Sequence, residues 1–159
     1  MDIHYRSIGV IRSPFTTVEG MPIQPAGAEG VQGSVEVFAE YAEGLADLEG
    51  FSHVILLYHF HRSEGFRLRV TPFLDTASHG VFATRAPARP NPIGLSVVRL
   101  LRRDGAILHV QNLDVLDGTP LLDIKPYVPR FDQHPAERIG WLARSEGGVE
   151  QTRSDKRFQ

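Results

Sequence analysis

Residues 53–60 read HVILLYHF, an apolar run with almost no polar alternation. A strand with apolar side chains at successive positions is buried on both faces or helps to close a barrel. Upstream, residues 33–38 read as another strand with Val35 and Val37 on one face, and residues 5–11 alternate loosely as a first. Phe38, Tyr41, Ala42, Leu45 and Leu48 recur at helical spacing, which predicts a short helix over residues 38–48 that Gly50 stops. Downstream, residues 67–73, 80–84, 95–102, 106–111 and 120–127 read as further strands. Arg103-Asp104-Gly105 makes a hairpin of 95–102 and 106–111, because Asp-Gly supplies the positive φ of a tight turn. Asp117-Gly118 is a second such turn, and a short helix is expected near residues 137–143. Eleven Pro and fifteen Gly cut the chain into short pieces, which favours strands and turns over long helices. The sum is a mainly β chain, a small β-barrel with one or two short helices. No repeat or internal boundary interrupts it, so residues 1–147 are expected to form a single domain and residues 148–159 a frayed polar tail.

With 159 residues, 42% of them hydrophobic and 23% charged, the chain has the composition of one soluble domain able to bury a core without staples. It has no cysteine, which excludes disulfides, thiolate nucleophiles and zinc sites built on sulfur. The start, MDIHYRSIGVIRSP, holds no long apolar run, so neither signal peptide nor membrane span is expected, and the cytoplasm is the expected compartment. The net charge of −2 is unevenly spread. Residues 60–103 carry Arg62, Arg67, Arg69, Arg85, Arg89, Arg99, Arg102 and Arg103 against only Glu64 and Asp75, whereas acidic residues dominate before them. Such a middle third is either a local site for an anion, a carboxylate or an RNA backbone, or a solvated basic face. The whole chain is not basic enough to hold nucleic acid by bulk charge.

Residues 83–95, ATRAPARPNPIGL, cannot lie in a central strand, because their prolines have no N–H for a ladder. The prolines stiffen a loop between two apolar strands and hold Arg85, Arg89 and Asn91 in place at low entropic cost. A guanidinium fork suits a carboxylate or phosphate, and Asn91 both donates and accepts. The plain alternative is a rigid crossover whose arginines face water. His59 and His61 share a strand face at a spacing that can chelate, with His53, His79 and Asp75 as other candidates. No ligand motif accompanies them, and histidines beside a buried strand more often serve as hydrogen-bonded structural residues, so no metal site is assigned. Gly27, Gly30 and Gly33 form GxxGxxG ahead of a strand, unlike the GxGxxG that opens a helix in a Rossmann site. Residues 12–30 are a long Pro-, Gly- and Thr-rich loop, and such loops are functional or disordered. Phe15, Phe73, Phe82 and Tyr127 could stack on a base, although isolated aromatics in a β protein are usually core.

The run GVFATRAPARPNPIGLSVVRL at residues 80–100, followed by LDVLDGTPLLDIKPYVPRFD at 113–132, resembles the signature of the TrmO (TsaA-like, YaeB-like) family of S-adenosylmethionine-dependent tRNA methyltransferases. IGVIRSPF, GMPIQP and GFSHVILLYHFHR fall in the same family order, so the resemblance covers roughly residues 5–132. It implies a β-barrel rather than a Rossmann sheet, S-adenosyl-L-methionine as cofactor, and a homodimer with the site close to the subunit interface. It further implies methylation of the exocyclic N6 of threonylcarbamoyl-adenosine beside the tRNA anticodon. By matching motif, the cofactor would contact Ile23, Gln24, Pro25, His61, Arg62, Arg85, Leu95, Asp117, Gly118, Thr119 and Pro120. To these the rigid loop adds Arg89 and Asn91. The resemblance is to a short form, without the extra C-terminal domain of some bacterial relatives.

A methylsulfonium is already activated, so the protein must chiefly align donor, methyl and acceptor and exclude water. Asp117 could accept from ribose hydroxyls, and an arginine could clamp the methionine carboxylate. Asp123, Lys125 and Tyr127 alternate along the last strand and project to one face. They are the catalytic candidates for orienting the acceptor or relaying its proton; the alternative is an exposed polar face of an edge strand. Arg62, Arg67, Arg69 and Arg89 would form the basic surface facing tRNA. Two other functions make different predictions. A same-fold methyltransferase acting on another acceptor would bind the cofactor but not tRNA, and a non-enzymatic or metal-binding barrel module would not bind the cofactor.

Overall fold

The computed structural model describes residues 1–144, 153 and 154. Its strands are β1 (Gly9–Arg12), β2 (Gln32–Val37), β3 (His53–His59), β4 (Arg69–Val70), β5 (His79–Gly80), β6 (Ile93–Asp104), β7 (Ile107–Gln111) and β8 (Thr119–Pro126). Six of them close a barrel in the order β1-β2-β7-β6-β3-β8, each neighbour antiparallel to the next. The short β4 and β5 pair with each other outside it. Strand β3 therefore has partners on both sides, as its apolar run predicts, and its burial alternates once it is in place. Val54, Leu56 and Tyr58 point inward, and Ile55 and Leu57 are half-buried on the outer wall.

Ile11, Val35, Leu56, Leu108, Leu113 and Leu121 meet in the barrel interior at 0% exposure. Each such side chain stabilises the fold by about 1.5–3 kcal/mol relative to leaving it in water. A satellite cluster of Val70, Val81 and Ala86 anchors the residue 81–92 loop outside the barrel. The β6–β7 hairpin turns at Gly105, whose φ is +59°.

Several expected elements differ. The first strand begins at Gly9, because its ladder to β2 and β8 extends only that far. The helix over 38–48 is instead a 3-10 segment at Ala39–Leu45, broken where Asp47 turns to a left-handed φ of 70°, and a second at Leu48–Gly50. Residues 80–84 are mostly a 3-10 turn, Val81–Ala83, since Val81 packs into the satellite cluster rather than a ladder. The expected 67–73 strand shrinks to Arg69–Val70, and the helix near 137–143 is a 3-10 turn at Gly140–Arg144. Of the expected tail, residues 148–152 and 155–159 lie outside the described residues. Arg153 and Ser154 are not frayed, since Arg153 bridges to Pro22 and Ser154 exchanges backbone hydrogen bonds with Met21 and Gly20.

Strand direction decides what meets where. Strands β1 and β3 end, and β6 and β8 begin, at the same mouth of the barrel. The 81–92 loop, the 113–118 turn and part of the 12–30 loop gather around that mouth.

Candidate active site

A cleft of about 780 Å³ opens there, within the size range of small-molecule sites. One wall is Met21, Pro22, Ile23 and Gln24 from the long loop, so that loop is built into the site. Its hold on the barrel comes partly from Asp117, whose carboxylate accepts from the Ser13 amide at 3.1 Å, while Asp117 N–H donates to Phe15 O at 2.7 Å. A second wall is Phe60, His61 and Arg62, which follow β3. The third is the 81–95 segment, including Arg85, Arg89 and Leu95. Trp141 closes the edge; its indole N–H donates to Ala83 O at 2.8 Å and its ring stacks on His79 at 4.9 Å. His79 is fixed in turn by Asp75 at 2.6 Å, a bond that holds the Asp75 carboxyl below its usual pKa.

The floor is where the chemistry concentrates. Asp114 lines the cleft yet is 9% exposed, and it accepts a hydrogen bond from Ser96 Oγ at 2.6 Å. Because the single Ser96 proton goes to Asp114, the Tyr58 hydroxyl is the donor in its 2.9 Å contact with Ser96. Burial pushes the Asp114 carboxyl up to about 6, against the weaker opposing pull of Ser96 and Arg85. Burial also raises Tyr58, with the Asp114 charge adding to it, so Tyr58 stays protonated. The Tyr58 and Phe60 rings meet edge to face at 5.5 Å. Gly94 makes room for both, since a β-carbon there would overlap the Tyr58 ring and lie 2.9 Å from Phe60.

Of the residues expected to contact a cofactor, Ile23, Gln24, His61, Arg62, Arg85, Arg89, Leu95 and Thr119 line the cleft. Arg85 donates to Gln24 Oε1 at 2.9 Å, tying two walls together. Arg89 spends one nitrogen on the carbonyls of Thr84 and Ala86, at 3.0 and 3.1 Å, so it braces the loop. Thr119 donates to Leu116 O at 2.6 Å and meets His61 Nδ1 at 3.4 Å. Pro25 opens a 3-10 turn just behind the wall, and Asn91 is exposed outside the cleft. Asp117 and Gly118 shape the turn and Pro120 lies in β8, none of the three lining the cleft, and the Asp117 carboxylate is used on Ser13.

Asp123, Lys125 and Tyr127 do not reach the cleft. Strand β8 starts at the mouth with Thr119 and runs to the opposite end, and the four steps from Leu121 to Lys125 carry the chain about 13 Å away. There Asp123 and Lys125 pair at 2.8 Å, and Tyr127 packs against His53. The histidines are likewise dispersed: His53 bonds Ser52 at that far end, His59 is exposed, and His61 is in the cleft. Among the described residues no three His, Asp or Glu side chains converge to hold a metal. Of the expected basic surface, Arg62 and Arg67 are exposed, while Arg69 bonds Ser78 through two nitrogens.

Sequence reasoning missed Tyr58, Ser96 and Asp114. The signal was there in part, as a Ser at an inward position of β6 between Gly94 and Val98 and a carboxylate between Leu113 and Val115, all now buried.

Residues 10–133 match the family described as tRNA-methyltransferase O N-terminal domain. A relative in Pyrococcus abyssi, named a probable S-adenosyl-L-methionine-binding protein, is 57% identical over 156 residues, 98% of this chain and 85% of its own. The tRNA (adenine(37)-N6)-methyltransferase of Escherichia coli is 41% identical over 82% of this chain and 60% of its own. A solved structure of TrmO from Pseudomonas aeruginosa superposes with a TM-score of 0.74 at 41% identity, covering 89% of this chain and 63% of that one. The chain thus spans less than two thirds of the E. coli enzyme and of that structure. Among the described residues no helix is long and apolar enough to cross a membrane. With a closed barrel in place of a Rossmann sheet and a match over most of its length, this chain belongs to the tRNA-methyltransferase O N-terminal domain family.

Proposed function

We propose that this protein is an S-adenosyl-L-methionine-dependent methyltransferase that modifies N6 of threonylcarbamoyl-adenosine beside the anticodon of tRNA. It acts in the cytoplasm as a homodimer, with the barrel of residues 1–147 as the catalytic unit. The observation that carries this reading is the convergence of residues from the 21–24, 61–62 and 85–95 stretches on one cleft. The names of the relatives favour the cofactor and a tRNA adenine as acceptor. The threonylcarbamoyl group and the dimer rest on the motif resemblance.

The cleft fits such a cofactor chemically. Phe60, Phe73, Val115 and Leu116 give it apolar surface for a nucleoside, and Arg85, held by Gln24, offers a fork for a carboxylate. When bound, the cofactor supplies a methyl group already activated on a positive sulfur. Ile23, Gln24, Arg62, Arg85 and Leu95 would hold it. His61 stands beside it as proton acceptor. Burial, then Arg62 and His59, keep His61 below the ordinary imidazole pKa, so it is neutral near pH 7. With the Thr119 hydroxyl donating to Leu116, His61 Nδ1 is the donor to Thr119, which leaves the Nε2 lone pair to take the proton that the attacking nitrogen loses. Arg62 and Arg67 are exposed, which supports a role for them in meeting tRNA phosphates.

Titration calorimetry with S-adenosyl-L-methionine and with its demethylated product tests the cofactor. Methyl transfer to tRNA with and without the threonylcarbamoyl group tests the acceptor. Binding without transfer to either tRNA would move the assignment to a same-fold methyltransferase with another acceptor. Failure of the folded protein to bind either ligand would leave a non-enzymatic barrel.

A further inference from the structure

Asp114 is a buried carboxylate to which no cation among the described residues is ion-paired. Arg85, the guanidinium that faces it, bonds Gln24 instead. Its donor is the neutral Ser96, itself hydrogen-bonded by the neutral Tyr58. Around it the floor is apolar, with Val115, Leu116 and the crossed rings of Tyr58 and Phe60. A buried carboxylate in such a setting is costly in its charged form unless a cation arrives to face it.

An ammonium would bring three N–H groups that each need an acceptor, and this floor offers few. A sulfonium is a cation with no hydrogen-bond donor on the charged atom, so apolar walls plus one carboxylate suit it better. We infer that Asp114 is the counter-charge for the methylsulfonium of the cofactor, and that through it the cleft prefers the methyl donor to the neutral thioether left after transfer. The inference deepens the cofactor reading above and rests on it. Its use is in turnover: once the methyl has left, the attraction to Asp114 goes with it, which loosens the spent product.

Binding of S-adenosyl-L-methionine, of its thioether product and of the analogue carrying an ammonium-bearing carbon in place of the sulfonium is measured calorimetrically from pH 5 to 8. In the wild type, affinity for both cationic ligands should climb with pH through about 6, by up to about tenfold per unit below the midpoint, while the thioether stays flat. In Asp114→Asn the preference for the cations should drop by about 30-fold or more at pH 7.5 and lose the pH dependence that Asp114 supplies. Ser96→Ala, which keeps the charge but removes its donor, should keep the preference and move its midpoint upward. The groups facing Asp114 are Tyr58, Ser96 and Arg85, and His61 shares the cleft. Protonated His61 would also repel a cation at low pH, so the pH series is repeated in His61→Gln and in the double variant His61→Gln, Asp114→Asn, where only the loss of Asp114 separates the two. A surviving pH-dependent preference in the double variant overturns the inference. So does parallel titration of thioether and sulfonium, which would put Asp114 on the ammonium common to both. If no ligand binds the folded wild type, the cofactor reading itself fails and this one with it.

Discussion

Replacing Asp114 by Asn removes a charge that the ligand-free fold buries. The carboxyl of Asp114 ionises near 6 in the folded chain against 3.8 for an ordinary aspartate, a difference of roughly two pH units at about 1.4 kcal/mol each. A raised folded pKa means that the folded state binds the proton more tightly than the unfolded state. The associated stability is fully present below about pH 4 and is lost as pH rises through about 6. At pH 7.5 the wild type therefore carries about 3 kcal/mol of strain from this one carboxylate, which Asn, still able to accept from Ser96, does not carry. Asp114→Asn should be the more stable protein at pH 7.5, with a melting temperature higher by about 6–12 °C for a chain of this size. The gap should narrow to about 1 kcal/mol by pH 4.5 and close only below the ordinary aspartate pKa of 3.8. Scanning calorimetry or thermal circular dichroism on both proteins from pH 4 to 8 reads it directly. Other groups in the window, His61 among them, are common to both proteins and cancel in the difference. A variant that is equally or less stable at every pH would refute the reasoning, because it would mean that the buried charge is already compensated. Together with the binding experiment, the expected result makes Asp114 a residue that weakens the empty fold in order to serve the filled one.

Arg85→Ala should weaken S-adenosyl-L-methionine binding by about 1–3 kcal/mol, the loss of a charge-assisted hydrogen bond, read by calorimetry. His61→Gln should lower kcat by about 100-fold or more, and should abolish the fall in kcat that the wild type shows below its depressed imidazole pKa at saturating cofactor. Arg89→Ala leaves the carbonyls of Thr84 and Ala86 without their donor. It should cost about 1–3 kcal/mol in denaturant unfolding and leave the salt dependence of tRNA binding unchanged, whereas loss of a phosphate contact would lower that slope by about one. Gly94→Ala drives a methyl group into the Tyr58 and Phe60 rings. It should destabilise the fold by about 1–3 kcal/mol in the same assay, as overpacking does.

The barrel was legible because β3 and the β6–β7 hairpin carry their signals locally, in an unbroken apolar run and in an Asp-Gly turn. The walls of the cleft were legible too, Arg85 through the Pro- and Arg-rich composition of its loop, and Gln24 and His61 through the family resemblance of the stretches that hold them. The floor was not. Ser96 and Asp114 are eighteen residues apart and meet only because β6 turns Ser96 inward at the mouth where the segment after β7 passes. No local pattern distinguishes a carboxylate that ends up beneath a cleft from one in an ordinary turn. The position of Asp123, Lys125 and Tyr127 away from the cleft was hidden for a related reason. Alternation correctly says that such residues share a face, but which end of the barrel they occupy is set by strand direction and by a ladder to β3 that sequence does not display. The helix expected at 38–48 had the right spacing, yet the left-handed residue at Asp47 divides it before an α-helix can extend.

Closure of the barrel joins its first strand to its last. Ile11 pairs with Thr119, and the Ser13 amide finds the Asp117 carboxylate 104 positions away along the chain. Contacts of such sequence separation are slow to form, because the intervening chain must be ordered before they reward it. The long-loop wall is fastened at this seam, so the cleft should be among the last things to appear as the chain folds. A ribosome-bound chain lacking residues 113–120 would have most of the barrel and no receptor for a ligand. Ligand capture would then act as a proofreader of folding, since only a chain that has found its final pairing can be held by what it binds.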